Sequence, residues 1–379
     1  MKKAIVFVLM IVLLTASVFA GGNRQQSSGT ASGTASGAGG AIQVDVFWYQ
    51  FGDTYLTSVR NAMAAEFSLS DQFTVRHHDC ANDQARQTQM VQTAITQGTK
   101  LLIVNIVTTG SEEAAMNIVN MAKNANIPIV FFNREVSNAV IRSYANAAFV
   151  GTDANEAGYM QGEGIAKFLL KPENWEGSRS KFDLNGDGNI NYVMFRGEHG
   201  NAEALGRTKF SIEEANKRLS GRLKLTPSPA NQTSTQYEND GISNYFLYAN
   251  WSAAEAANLM RTALAAHSLT TGAIELIVAN NDDAGLGAIE AMNEQGFNTG
   301  RAGAGYVPVF GVDATPVAQE AIRAGRMTSS VLQDAVGMAK TIVALAKNIA
   351  GGQHVFANTS SYNVDEGVNK IRVPYALFE

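Results

Sequence analysis

The sequence predicts an α/β protein built from two doubly wound, parallel-sheet domains. Short β-rich runs alternate with amphipathic helical patterns along nearly the whole chain, which is the βαβ rhythm of a parallel sheet. The turns that follow these strands are rich in Asn and Asp. From Ala41 onward ~340 residues remain, more than one core usually serves.

Met1-Lys2-Lys3, the apolar run Ala4 to Leu14, and Val18-Phe19-Ala20 before Gly21 read as a cleavable secretory signal over residues 1–20. That apolar run is too short to span ~30 Å of hydrocarbon. Residues 21–41 are almost wholly Gly, Ser, Thr, Ala, Asn and Gln, a flexible tether with nothing to bury. Cys80 is the single cysteine, so no intramolecular disulfide can form and the core must supply stability. Loss of Lys2 and Lys3 with the leader moves the formal charge from −5 to −7. A mildly acidic surface argues against nucleic acid and anionic membranes as partners. The mature chain is expected to be periplasmic or otherwise extracytoplasmic.

Strands are expected at Ile42–Tyr49, Phe73–His78, Leu101–Val107 and Ile127–Phe132, with helical stretches between them. The rhythm resumes at Ala148–Thr152, Tyr192–Arg196, Glu275–Asn280, Val307–Val312 and Thr328–Leu332, each followed by a polar or Gly-containing turn and a new helix. Ligands of open parallel sheets sit at the carboxyl ends of strands. Asp53, Asn281 and Asp313 fall there and are expected to share a cleft, whereas Asp282 and Asp153 read as helix caps.

No Gly-x-Gly-x-x-Gly follows a strand, and the five histidines have neither triad partners nor metal-ligand spacing. A two-carboxylate glycosidase has no positive signal. A sugar-binding cleft has one: it needs flat apolar walls and planar bidentate polar groups. Aromatics cluster at the end of the first strand, from Phe47 to Tyr55, and Trp251 stands in a polar turn before a helix, so Tyr55 and Trp251 are the candidate platforms.

Asp183 to Asn191 reads Asp-Leu-Asn-Gly-Asp-Gly-Asn-Ile-Asn. Oxygen donors alternate around a glycine at the sixth loop position, as at the front of a calcium loop. The twelfth position, where an EF-hand carries Glu, is Met194. The last ligand must come from elsewhere, and a plain Asn/Gly turn without an ion is the rival reading.

Over Ile42 to Tyr375 the chain resembles the periplasmic galactose/glucose-binding proteins of bacterial ABC sugar importers, members of the type I periplasmic binding proteins. The matching phrases are Phe131-Phe132-Asn133-Arg134-Glu135, Val150-Gly151-Thr152-Asp153, Arg196-Gly197-Glu198, Val278-Ala279-Asn280-Asn281-Asp282, Phe310-Gly311-Val312-Asp313 and Arg372-Val373-Pro374-Tyr375. The resemblance implies two Rossmann-like lobes, 42–128 with 334–370 and 129–333 with 371–379. Three hinge crossings would join them, near Ile127–Ile129, Gln333–Asp334 and Lys370–Arg372.

It further implies a non-enzymatic role, capture of a monosaccharide by hinge closure, with an ABC permease as partner and a chemoreceptor as a second candidate. A monomer suits a protein that presents one closed face. In the implied site Asp53 meets the hydroxyl that separates glucose from galactose, Tyr55 and Trp251 cover the two ring faces, Asn105 contacts hydroxyls, and Arg207, Asn281 and Asp313 match across the cleft. Asn201, Glu203 and Gln333 depart from the family's His, Asp and Asn, which leaves another pyranose or a pentose as the rival ligand. Glu275 would complete a structural calcium shell with Asp183, Asn185, Asp187, Asn191 and the Asn189 carbonyl.

Overall fold

The computed structural model describes residues 40–231 and 246–379; the expected signal and nearly all of the expected tether lie outside them. The first lobe begins with β1 (Ile42–Trp48), α1 (Thr54–Phe67), β2 (Phe73–Asp79), α2 (Gln84–Thr96), β3 (Leu101–Val104), α3 (Glu112–Asn124), β4 (Ile129–Phe132), α4 (Asn138–Arg142) and β5 (Ala147–Gly151). The chain then builds a second lobe from α5 (Ala154–Leu169), the hairpin β6 (Trp175–Glu176) and β7 (Arg179–Ser180), β8 (Asn189–Arg196), α6 (Ala202–Leu219), β9 (Lys224–Pro227) and β10 (Leu247–Tyr248). That lobe continues through α7 (Ala253–Ala266), β11 (Leu276–Ala279), α8 (Asp282–Asn293), β12 (Val309–Asp313), α9 (Pro316–Arg323) and β13 (Ser329–Gln333). The chain returns to the first lobe for α10 (Ala335–Ala350), β14 (Asn363–Val364) and β15 (Lys370–Arg372), and closes with β16 (Tyr375–Phe378) in the second.

The sheet order is β14-β15-β5-β4-β3-β1-β2 in the first lobe and β10-β8-β11-β12-β13-β16 in the second, where β9 also pairs with β8. Pairing is parallel except at the late additions β14 on β15 and β16 on β13. The central strands read Leu-Leu-Ile-Val (β3), Ile-Val-Phe-Phe (β4) and Leu-Ile-Val-Ala (β11), every residue buried. Unbroken apolar runs are what a sheet covered by helices on both faces requires.

Polar residues at the strand ends start the helices. Asp53, Asp83, Ser111, Asp153, Asn201, Ser252, Asn281 and Asp334 each accept a backbone N–H in the first turn of the helix that follows. Asp153 thus caps α5 as expected. Asp282 does not cap: Asn281 holds that position, and Asp282 is instead fully buried, accepting from the Thr315 N–H at 2.7 Å and the Ser330 hydroxyl at 2.6 Å.

The expected first crossing at Ile127–Ile129 is corrected. β4 pairs with β3 through Leu102 and Ile129, and β5 pairs with β4, so both belong to the first sheet. The chain leaves that lobe only after β5, through Thr152 and Asp153. The second crossing lies at Asp334, as expected. The third lies at Val373–Pro374, because β15 still pairs with β5 and β16 already pairs with β13.

Candidate functional site

The strand ends of the two lobes face each other across a cavity. From the first lobe it is lined by Tyr49, Asp53, Tyr55, Asn133 and Arg134. The second contributes Asn201, Glu203, Arg207, Trp251, Asn281, Asp313 and Gln333. Nine of the ten residues expected to touch a sugar therefore meet in one place.

Several of them are held by the same bonds that start helices. Asp53 accepts from the Leu56 N–H at 2.8 Å with one oxygen and from the Tyr49 hydroxyl at 2.8 Å with the other. Asn201 accepts from the Ala204 N–H at 3.1 Å. Asn281 accepts from the Ala284 N–H at 3.2 Å, and its amide donates to the Trp251 carbonyl at 3.1 Å, so a cap also positions the indole-bearing turn. Three lining residues sit in the left-handed region without being glycine: Asn133 at φ 60°, Trp251 at 66° and Asp313 at 112°. Such strain persists where surrounding contacts over-determine the backbone, and functional sites collect it.

Gly197 makes room for Trp251. A Cβ there would fall 2.3 Å from the indole ring. Among the described residues the indole N–H, though buried, has no partner. Opposite it, the buried Tyr55 hydroxyl lies 3.8 Å from the Met338 sulfur. Burial pushes the Tyr55 phenol well above its ordinary range, and the Asp313 charge adds to this.

Arg207 is the buried electrostatic centre. It donates to the Asn280 carbonyl at 2.8 Å, the Tyr375 hydroxyl at 2.9 Å and the Gln333 amide oxygen at 3.2 Å. Its guanidinium also lies 3.1 Å from Glu203 and 3.6 Å from Asp313. Burial alone would favour loss of its proton, but Tyr375, Glu203 and Asp313 outweigh it and raise the pKa. Asp313 is pushed well up by burial; Arg207 offsets part of that, while Asp282, Asp53 and Asp283 add to it.

Asn105, the tenth expected sugar contact, is not among the residues that line the cavity and takes a supporting place in this structure. It is fully buried behind the cavity wall. Its amide donates to the Phe132 carbonyl at 3.0 Å and the Asn133 side chain at 3.2 Å, and its oxygen accepts from the Tyr49 N–H at 3.3 Å. Asn133, one strand over, lines the cavity in its stead. Asn105→Ala would leave the Phe132 carbonyl and the Tyr49 N–H unpaired, an expected loss of ~1–3 kcal/mol of stability, read by urea unfolding. If stability were unchanged, the supporting role would fail.

Tyr49 and Arg134 also escaped the sequence reading. The Arg134 guanidinium lies 4.1 Å from the Tyr49 ring centroid, donates to the Val107 carbonyl at 2.9 Å, and pairs with Glu198 of the other lobe. Thr54 makes a second bridge between the lobes, to Asp283 at 2.8 Å. The lobes are in contact, in a closed arrangement. An aromatic and a cation directly after two apolar strand runs were the available signals.

In the Asp183–Asn191 loop, Asp183 accepts from the N–H groups of Gly186 at 2.7 Å, Asp187 at 3.1 Å and Gly188 at 3.0 Å. Asn185 and Asp187 accept from the N–H groups of Asp187 and Asn189. Glu275, buried at the foot of β11, accepts from Leu184 N–H at 2.7 Å and Asn191 N–H at 2.8 Å, tying both ends of the loop to the sheet. Burial raises the Glu275 carboxyl, and the charges of Asp183 and Asp187 add to this. The Asn191 side chain is turned to Thr226 and to the Gly272 carbonyl. Among the described residues, no three carboxylate, imidazole or thiol groups already form a metal cage.

A family described as periplasmic binding protein domain matches residues 44–354. The D-galactose/methyl-galactoside binding periplasmic protein of Haemophilus influenzae is 32% identical over 333 residues, 88% of either chain. A putative rhizopine-binding protein of Rhizobium meliloti is 29% identical and spans 80% of this chain and 83% of its own. A solved ABC transporter solute-binding protein from Bacillus halodurans, with bound myo-inositol, superposes with a TM-score of 0.66 at 27% identity over 90% of this chain and 95% of that one. By family match and by fold, the chain belongs to the type I periplasmic binding proteins, which bind solutes rather than transform them.

Proposed function

We propose that the chain is the extracytoplasmic monosaccharide-binding subunit of an ABC importer, with glucose or galactose as its ligand and a structural calcium in the second lobe. The inter-lobe cavity carries this reading: Tyr55 and Trp251 offer aromatic surfaces, and Asp53, Asn133, Asn281, Asp313 and two arginines offer paired donors and acceptors. The 32% identical relative is named for D-galactose and methyl-galactoside. Two of the cavity's carboxylates, Asp53 and Glu203, are committed to Tyr49, Leu56, Thr152, Tyr375 and Arg207 rather than free to shuttle a proton.

In the proposed cycle a sugar meets one lobe in an open form, the second lobe completes its hydrogen bonds, and closure follows because the ligand binds the closed state better. The closed face is what a permease or a chemoreceptor would recognise, and a monomer suffices for that. A second reading, a cyclitol or another pyranose, is favoured by one feature. Glu203 and Gln333, each longer by a methylene than the family's residues, are bonded to hinge groups, and Asn201 stands where the family has His.

The donor chemistry of the loop fits calcium. Asp183, Asp187 and Glu275 supply three carboxylates, Asn185 an amide oxygen, and Asn189 a carbonyl, the hard oxygen set that calcium takes. Asn191 would have to release Thr226 to take part. Bound there, calcium would neutralise the mutual repulsion of the carboxylates and brace the loop against β11.

Thermal melts with glucose, galactose and myo-inositol, each with and without a chelator, test the reading. The expected result is a rise with one monosaccharide, worth ~2.7 kcal/mol at a hundredfold excess over Kd, and a fall on chelation. No response to any sugar contradicts the function; no response to chelation contradicts the calcium assignment.

A further inference from the structure

Asp282 is fully buried in the first turn of α8 and is not among the residues that line the cavity. Its two oxygens reach the chain just beyond Asp313, which does line it. One accepts from the Thr315 N–H at 2.7 Å and the other from the Ser330 hydroxyl at 2.6 Å. The Ser330 oxygen in turn accepts from the Ala314 N–H at 2.9 Å. From α9, the Gln319 amide donates to the Ala314 carbonyl at 2.8 Å. Gly311, two residues before Asp313, leaves space for the arrangement, since a Cβ there would lie 2.4 Å from the Asp282 Oδ1.

The segment held in this way is strained. Asp313 and Ala314, consecutive and neither of them glycine, have φ angles of 112° and 46°. L-residues seldom adopt this region, and they stay there only where contacts over-determine the backbone. Asp313 also differs from the other polar residues of the cavity. Asp53, Asn201, Glu203 and Asn281 are each aimed by side-chain hydrogen bonds. The Asp313 carboxylate, among the described residues, has Arg207 at 3.6 Å as its ionic partner, beyond hydrogen-bond reach. Its direction is therefore set by its backbone, and its backbone by Asp282, Ser330 and Gln319. A carboxylate suits the task, because charge-assisted hydrogen bonds are the strong ones and the starts of α8 and α9 both favour negative charge.

We propose that Asp282 is a positioning residue for the ligand site: it fixes the strained Asp313–Ala314 turn and so aims the Asp313 carboxylate into the cavity, without touching the ligand. The inference rests on the reading of the cavity as a monosaccharide site. With the clamp released, the turn relaxes toward ordinary backbone angles, and the Asp313 oxygens move away from the hydroxyls they would meet.

Asp282→Ala removes the clamp, and Ser330→Ala, a smaller change, frees the Ala314 N–H while leaving the carboxylate in place. Each is made in the unmodified protein and in an Asp313→Ala background. Affinity for whichever of galactose and glucose raises the melting temperature is followed by amide chemical shifts up to millimolar sugar, so that weak binding stays measurable. Hydrogen exchange of the Ala314 and Thr315 amides, without sugar, reports the turn itself.

Both variants are expected to bind about tenfold more weakly, the effect of one misplaced charge-assisted hydrogen bond. In the Asp313→Ala background the further loss is expected to stay below about twofold, because the side chain being aimed is gone. The Ala314 and Thr315 amides are expected to exchange about tenfold faster. Lower stability with unchanged affinity in both variants overturns the proposal, since a merely structural role does just that. So does an affinity loss of the same size with and without Asp313. If the unmodified protein binds neither sugar, the monosaccharide reading fails and exchange decides the clamp: faster exchange upholds it, and unchanged exchange overturns it.

Discussion

Arg207→Met is expected to be the most damaging single substitution in the cavity. The guanidinium is buried between Glu203 and Asp313 and donates to Asn280, Gln333 and Tyr375. Removing one member of a buried ionic cluster costs ~3–5 kcal/mol, because the remaining charges lose their partner without regaining water. Sugar affinity is expected to fall at least a hundredfold, since the acceptors left behind repel one another across the ligand site.

The pH dependence of that loss has a definite sign. Asp313 already has a folded-state pKa above its ordinary value, and loss of Arg207 removes the main group that lowers it. A carboxyl with a raised folded pKa lends stability that is complete below its unfolded pKa and is lost as pH rises through the folded value. Arg207→Met should therefore be less destabilised at pH 5 than at pH 7. Urea midpoints at the two pH values decide the matter, and equal destabilisation would show that the carboxylates do not carry the effect.

Gly162→Leu is expected to prevent the second lobe from folding, and Gly162→Ala to destabilise it by ~1–3 kcal/mol. α5 and α6 approach backbone to backbone. A Cβ on Gly162 would lie 2.5 Å from the Ser211 carbonyl oxygen and 2.9 Å from the Ala215 nitrogen. A Cβ added to Gly158 would likewise lie 2.5 Å from the Gly206 carbonyl oxygen, and one added to Gly206 would lie 2.4 Å from that of Ala154. The obstacles are backbone atoms, which cannot rotate aside. Helix propensity alone would make Gly162→Ala stabilising by ~0.5–1 kcal/mol, so the sign of the change separates close packing from propensity. A stabilised alanine variant would refute the contact.

Much of this architecture was legible because it is local. Strand runs such as Leu101–Val104 and Leu276–Ala279 carry their burial in composition, and the Asn or Asp that ends a strand marks both a helix cap and the mouth of the cleft. The misplaced first crossing was not legible. Ile127–Phe132 has the same pattern whichever lobe it joins, and only its pairing with β3 decides.

Asn105 and Asn133 show the same limit at one residue. Both end apolar strands, but Asn133 adopts a left-handed backbone at φ 60° and faces the cavity, while Asn105 turns inward to hold Tyr49 and Asn133. The tolerance of Asn for that conformation was the one signal available. Glu203 and Gln333 were expected at the site from the sequence, but their bonds to Thr152, Tyr375 and Arg207 depend on α6, β13 and β16 converging from distant parts of the chain. The α5–α6 glycines had no local reason to be glycine, since their neighbours come from another helix.

Calorimetric titration of the intact protein with galactose and glucose tests the central claim most directly. A saturable isotherm of one sugar per chain with one of them, lost in Arg207→Met, is the predicted result. Absence of binding heat with either sugar, together with release of products from an oligosaccharide, would contradict it.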